Sequence, residues 1–118
     1  MRSAILITAA VLVLPNVSVA GPVRLECERE ILGDRVTLYV DTERKTLRVE
    51  SDFFGLKDKK DLQIDMLTKK VITARSGRPG YRIGHVIDRQ SGVYKEIHVT
   101  NDSETENVFV CKRGEPVL

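Results

Sequence analysis

Val36-Thr37-Leu38-Tyr39-Val40-Asp41, Thr42-Glu43-Arg44-Lys45 and Thr46-Leu47-Arg48-Val49 form the stretch that decides the fold. Val36, Leu38 and Val40 alternate with polar or amphipathic neighbours, and so do Leu47 and Val49. A period of two places one side-chain set on each face of an extended chain, so these are two half-buried strands. The polar run between them is turn chemistry, because short polar side chains bond to nearby backbone. A four-residue loop, Thr42 to Lys45, sets Val40 opposite Leu47 and Leu38 opposite Val49. All the apolar side chains then share one face, and a one-residue slip would put one strand's set into water.

Outward from this hairpin, the alternation continues. Val23, Leu25 and Cys27 predict a first strand with Cys27 pointing inward. Phe53-Phe54-Gly55-Leu56 reads as an apolar knot beneath the sheet, and Lys57 to Asp61 as a solvated charged loop. Leu62, Ile64 and Met66 resume the pattern. Lys69 to Arg75 reads as a strand with a bulge, since the Val71-Ile72 pair breaks its phase. Ser76-Gly77-Arg78-Pro79-Gly80 is the strongest loop. Tyr81–Asp88 and Val93–Thr100 form a second hairpin. With Gln90-Ser91-Gly92 as its loop and Gly92 left-handed, Ile83 faces Val99, His85 faces Ile97 and Ile87 faces Lys95. In the last strand, Asn107 to Arg113, Val108 and Val110 share one face and Phe109 and Cys111 the other, as in a strand covered on both sides. No long stretch has helical caps and a 3.6-residue period. The expectation is an all-β fold, a small antiparallel barrel or sandwich of about seven to eight strands.

The N-terminus carries different information. Arg2, the apolar run Ala4–Leu14, Pro15 and then Ser18-Val19-Ala20 read as a secretory signal peptide over residues 1–20. An apolar run of this length is far short of the roughly 20 residues that cross a membrane. Residues 21–118 are then a single β-domain without a transmembrane segment, and the expected location is periplasmic or secreted. An oxidising compartment makes Cys27 and Cys111 a disulfide rather than a redox or metal pair. Of 19 basic residues Arg2 leaves with the signal, so 18 face 17 acidic ones. That balance argues against nucleic acid as a partner.

The chemistry of the chain is sparse. No G-x-S-x-G, HExxH, Walker loop or CxxC occurs, which points away from an enzyme. His85 and His98 have opposite parity in the expected register, so they would project from opposite faces and share no metal ion. His85 reads as a core histidine and His98 as solvent-facing. Asp102-Ser103-Glu104-Thr105-Glu106 lacks the glycine turn and ligand spacing of a calcium loop and reads as a solvated acidic turn. Neither metal nor cofactor is expected. Asn101-Asp102-Ser103 fits a glycosylation sequon.

The best candidate binding residues are Arg75, Ser76, Gly77, Arg78, Tyr81, Arg82 and Arg89, because arginine forks and glycine amides bind carboxylate or phosphate groups. Ser76-Gly77 followed by Tyr81, between an early and a late cysteine, resembles the loop of periplasmic inhibitors of C-type lysozyme. The resemblance implies an eight-stranded barrel whose serine-glycine-x-x-tyrosine loop enters the lysozyme cleft. This chain departs from the pattern: its tyrosine comes one residue late, and Ala74 stands where a serine is expected. The functional expectation is a non-catalytic β-domain that binds a protein or an anionic ligand through its loops. The alternatives are a lysozyme-inhibitor-like protein, an envelope structural protein and a small enzyme using His85.

Overall fold

A computed structural model describes residues 22–29, 33–53 and 55–114. The signal-peptide reading of residues 1–20 lies outside the described residues. Eight strands follow one another: β1 (Val23–Glu28), β2 (Arg35–Asp41), β3 (Thr46–Phe53), β4 (Leu56–Leu67), β5 (Val71–Arg78), β6 (Tyr81–Asp88), β7 (Val93–Thr100) and β8 (Glu104–Arg113). Each pairs antiparallel with the next, and β8 returns to β1, so the sheet closes into a barrel. No helix among the described residues is long and apolar enough to cross a membrane. The turns at 42–45, 68–70 and 89–92 lie at the lower end. Those at 79–80 and 101–103 lie at the upper end, with the close of β1 and the start of β2.

The deciding hairpin has the expected register, Val40 opposite Leu47 and Leu38 opposite Val49. Asp41 Oδ1 accepts the backbone N–H groups of Glu43 at 3.1 Å and Arg44 at 3.0 Å, which folds the turn. Lys45 completes it at φ 57°. Cys27 stands directly opposite Cys111 across the β1–β8 seam, with 3.9 Å between Cα atoms, and the two are disulfide-bonded. The bond therefore joins the first strand to the last.

Elsewhere the structure corrects the expectations. Lys57 to Asp61 is strand, not loop, because it pairs residue for residue with Val49–Asp52 and Arg48 of β3. Leu56 is 77% exposed and not tucked beneath the sheet, and Phe54 lies outside the described residues. The bulge falls in β4, between Ile64 and Met66, and β5 is regular. The expected Ser76–Gly80 loop shrinks to Pro79-Gly80, since Ser76, Gly77 and Arg78 pair with Ile83, Arg82 and Tyr81. Val108 and Val110 are exposed, so β8 is covered on its inner face alone.

The largest correction is in the β6–β7 hairpin, where Ile83 faces His98, His85 faces Glu96 and Ile87 faces Tyr94. Its loop holds one residue more than expected. Asp88 accepts N–H groups from Gln90 and Ser91, and Gly92 N–H donates to the Asp88 carbonyl at 2.9 Å. Gly92 is left-handed, at φ 79°, and its carbonyl accepts from Cys111 N–H, which locks the longer turn to β8. The extra residue reverses β7: Tyr94, Glu96 and His98 point into the barrel and Val93, Ile97 and Val99 point out. His85 and His98 therefore share the inner face, and His98 is half-buried instead of solvent-facing.

Candidate functional site

The inward residues of β5, β6 and β7 build a chain of side-chain hydrogen bonds in the upper half of the barrel. Ser76 Oγ lies 2.8 Å from His85 Nε2, and His85 Nδ1 lies 2.7 Å from the Tyr94 hydroxyl. Tyr94 O–H donates to Glu96 Oε2 at 2.8 Å. Glu96 Oε1 is 3.2 Å from His98 Nε2, and His98 Nδ1 is 2.5 Å from the Tyr81 hydroxyl. One proton arrangement satisfies every link. Ser76 donates to His85 Nε2, His85 Nδ1–H donates to Tyr94, and Tyr94 donates to Glu96. From the far end, Tyr81 donates to His98 Nδ1, and His98 Nε2–H donates to the same carboxylate.

Burial sets the electrostatics of this chain. His85 is 2% exposed, and desolvation lowers its pKa to about 4, against the opposing pull of the Glu96 carboxylate. Lys60 and His98 push it further down. His85 is thus neutral at pH 7, as the proton arrangement requires. Burial also raises the Tyr94 pKa, and the Glu96 carboxylate raises it again, so the phenol keeps its proton. Nearby, Arg29 bonds Asp34 and donates to Asn107 Oδ1 at 2.8 Å, with its guanidinium 5.5 Å over the Phe109 ring. That contact ties the β1–β2 segment to β8.

The seven candidate binding residues separate into three groups. Ser76, Gly77, Arg78, Tyr81 and Arg82 gather at the upper end of the β5–β6 hairpin. Gly77, at φ 112°, lies so close to β6 that a Cβ there would stand 2.3 Å from the Tyr81 carbonyl oxygen. Arg78 is exposed, with its guanidinium 6.0 Å over the Tyr81 ring. Arg75 points outward and donates from Nε to Asp65 at 2.9 Å. Arg89 is at the opposite end of β6, bonded to the Thr68 carbonyl, and so lies apart from the other candidates. Eight strand positions, roughly 25 Å, separate it from Tyr81.

Sequence reasoning missed Tyr94, Glu96 and His98. Their spacing of two was a signal, but Val93, Lys95, Ile97 and Val99 offer a competing face with more apolar residues. Among the described residues, no three His, Cys, Asp or Glu side chains are placed to hold a metal ion. Asp102 lies in an exposed turn and Glu104 and Glu106 begin β8. Comparison with protein-family models, with curated proteins and with solved structures finds no match for this chain.

Proposed function

We propose that this chain is a non-catalytic binding domain of the periplasm or extracellular space, which engages a protein or an anionic group through the tip of the β5–β6 hairpin. The observation that carries the reading is the construction of that tip. Arg78, Pro79 and Gly80 are exposed, while the side chains on either side of them are anchored inside, Ser76 to His85 and Tyr81 to His98. A binding loop on a rigid scaffold loses little conformational entropy when a partner arrives. The disulfide supports an oxidising compartment.

The Ser76–His85 contact favours a second reading, an enzyme with Ser76 as nucleophile. A general base works best with a pKa near the working pH. His85, held near pKa 4, is too weak a base for that role. Its hydrogen bonds hold the hairpin in place and leave Ser76 a hydroxyl donor. A narrower form of the binding reading takes a C-type lysozyme as the partner, following the Ser76-Gly77 and Tyr81 resemblance. In this chain, however, both side chains are turned inward, so Arg78 and Pro79 would make the contact.

The test is capture of partners from the periplasmic or culture fraction by the disulfide-bonded protein. Arg78→Glu is expected to weaken capture by about 1–3 kcal/mol, the value of a lost charge-assisted hydrogen bond. Equal capture by the variant, or labelling of Ser76 by a fluorophosphonate, overturns the reading. Inhibition of a C-type lysozyme that Arg78→Glu abolishes would establish the narrower form.

A further inference from the structure

The barrel is closed along its lower half and split along its upper half, between β4 and β5. Their pairing consists of Ile64 with Ala74, Met66 with Thr73 and Leu67 with Ile72. Above Ala74, β5 pairs with β6 alone, and Lys57–Asp61 of β4 pairs with β3 alone. The second edge of Lys57–Asp61 thus has no strand partner among the described residues. An unpaired edge presents the N–H and C=O groups of every second residue to any strand that can lie along it.

The outer face indicates which strand that is. Opposite charges face each other across the sheet, along the whole of one rung and at the β3–β4 pair of the next two. One rung reads Glu28, Arg35, Asp52, Lys57 through β1, β2, β3 and β4, with Arg35 Nε 3.4 Å from Glu28. The next ends in Glu50 opposite Lys59. The third ends in Arg48, which donates from Nε to Asp61 at 2.7 Å. Opposite charges facing each other across strands stabilise a sheet, and like charges destabilise it. Each rung stops at the free edge of β4, at Lys57, Lys59 and Asp61. Its next member is therefore an acid, an acid and a base. An antiparallel strand meets Asp61 first, so it carries base-x-acid-x-acid. β3 has this pattern itself, in Arg48, Glu50 and Asp52.

We propose that the free edge of β4, Lys57–Asp61, is a strand-addition site for an extended segment of a partner protein with the pattern base-x-acid-x-acid. Backbone hydrogen bonds supply the attachment and the charge rungs supply its register and direction. The opposite bank of the split is the β5 segment leading to Arg78, so the site adjoins the hairpin tip. This inference rests on the binding-domain reading and gives the form of the partner. Lysines along an edge also repel the edge of another copy of this chain, which leaves an acidic strand as the matching occupant.

The experiment uses the disulfide-bonded chain, labelled with nitrogen-15, and an acetylated, amidated peptide copying Thr46–Asp52. Saturable amide shifts are expected along Lys57–Asp61, together with slower hydrogen exchange there. Methylating alternate peptide nitrogens leaves charge intact and removes donors, and is expected to weaken binding at least about tenfold. The double variant Lys57→Glu, Lys59→Glu is expected to lose the peptide and to bind a version with lysine at both acidic positions. That rescue separates lost recognition from a misfolded barrel. Equal binding by the methylated peptide, absence of rescue, or no saturable shift along β4 overturns the proposal. If a captured partner depends on Arg78 while β4 stays silent, the edge site fails and the hairpin reading stands. If the peptide binds β4 and Arg78→Glu changes no capture, the hairpin reading fails alone.

Discussion

The lower half of the barrel interior is held by contact, and the upper half is held by direction. Below, Leu38, Val40, Leu47, Ile72 and Ile87 share one buried apolar cluster with Phe109 and Cys27. Above, Ser76, His85, Tyr94, Glu96, His98 and Tyr81 are joined end to end by hydrogen bonds. Apolar burial is non-directional and scales with area, so the lower half tolerates small shifts of its elements. A buried hydrogen bond loses its value when its geometry fails, and the group left unpaired then costs more than the bond gave. The apolar half sets stability, while the polar half fixes where the β5–β6 hairpin points. Tyr94 belongs to both, with its ring against Phe109 at 5.5 Å and its hydroxyl in the chain.

The contrast is broken most severely from below. Phe109→Ala is expected to destabilise the fold by about 3–5 kcal/mol, measured by denaturant unfolding, because the truncation empties the centre of the apolar layer. Replacing Cys27 and Cys111 together by alanine is expected to cost about 2–5 kcal/mol. Non-reducing mass spectrometry of the parent should show two fewer thiol hydrogens than the reduced form.

Acid attacks the upper half selectively. The His85 pKa is lower in the folded chain, about 4, than its ordinary 6.5, so the unfolded chain binds the extra proton. The resulting stability is present above pH 6.5 and is lost as pH falls towards 4, a loss of roughly 3 kcal/mol at most. A His85→Gln variant should show a flatter stability profile over that window. An NMR titration placing the His85 midpoint near 6.5 would contradict the burial argument.

Glu96→Ala removes the acceptor shared by Tyr94 and His98 and is expected to cost about 1–3 kcal/mol. It should also broaden the amide resonances of the β5–β6 tip, whereas Phe109→Ala should leave tip order unchanged at temperatures well below its melting. The smallest effect is expected outside the barrel. Arg75→Ala breaks the exposed contact with Asp65 and should change stability by less than about 1 kcal/mol, with no change at the tip.

The same contrast explains what was legible in the sequence. The β2–β3 hairpin could be read in full because Val36, Leu38, Val40, Leu47 and Val49 have a single burying face and therefore one register. Cys27 and Cys111 could be paired because they are the chain's two cysteines and the signal-peptide reading puts them in an oxidising compartment. β7 was ambiguous, since Val93, Ile97 and Val99 outvote Tyr94, Glu96 and His98 on hydrophobicity alone. What decides between them is His85 on the neighbouring strand, which needs polar partners when buried. That is information about a neighbour, and periodicity within one strand does not contain it. Ser76 and Tyr81 were singled out as surface groups, and the structure turns both inward. The Asp88 side chain, by capping its own turn, added the residue that moved the register.

The seam disulfide has a mechanical consequence. Cys27 and Cys111 are 84 residues apart in the chain and 3.9 Å apart at their Cα atoms. Tension applied to the polypeptide outside these two residues passes through the sulfur bridge and bypasses β2 to β7, the six whole strands between them. Roughly 280 Å of contour length is thereby withheld from extension while the bridge is intact. A reductant would release that length, so the same pull would meet a tether before reduction and an unravelling barrel after it.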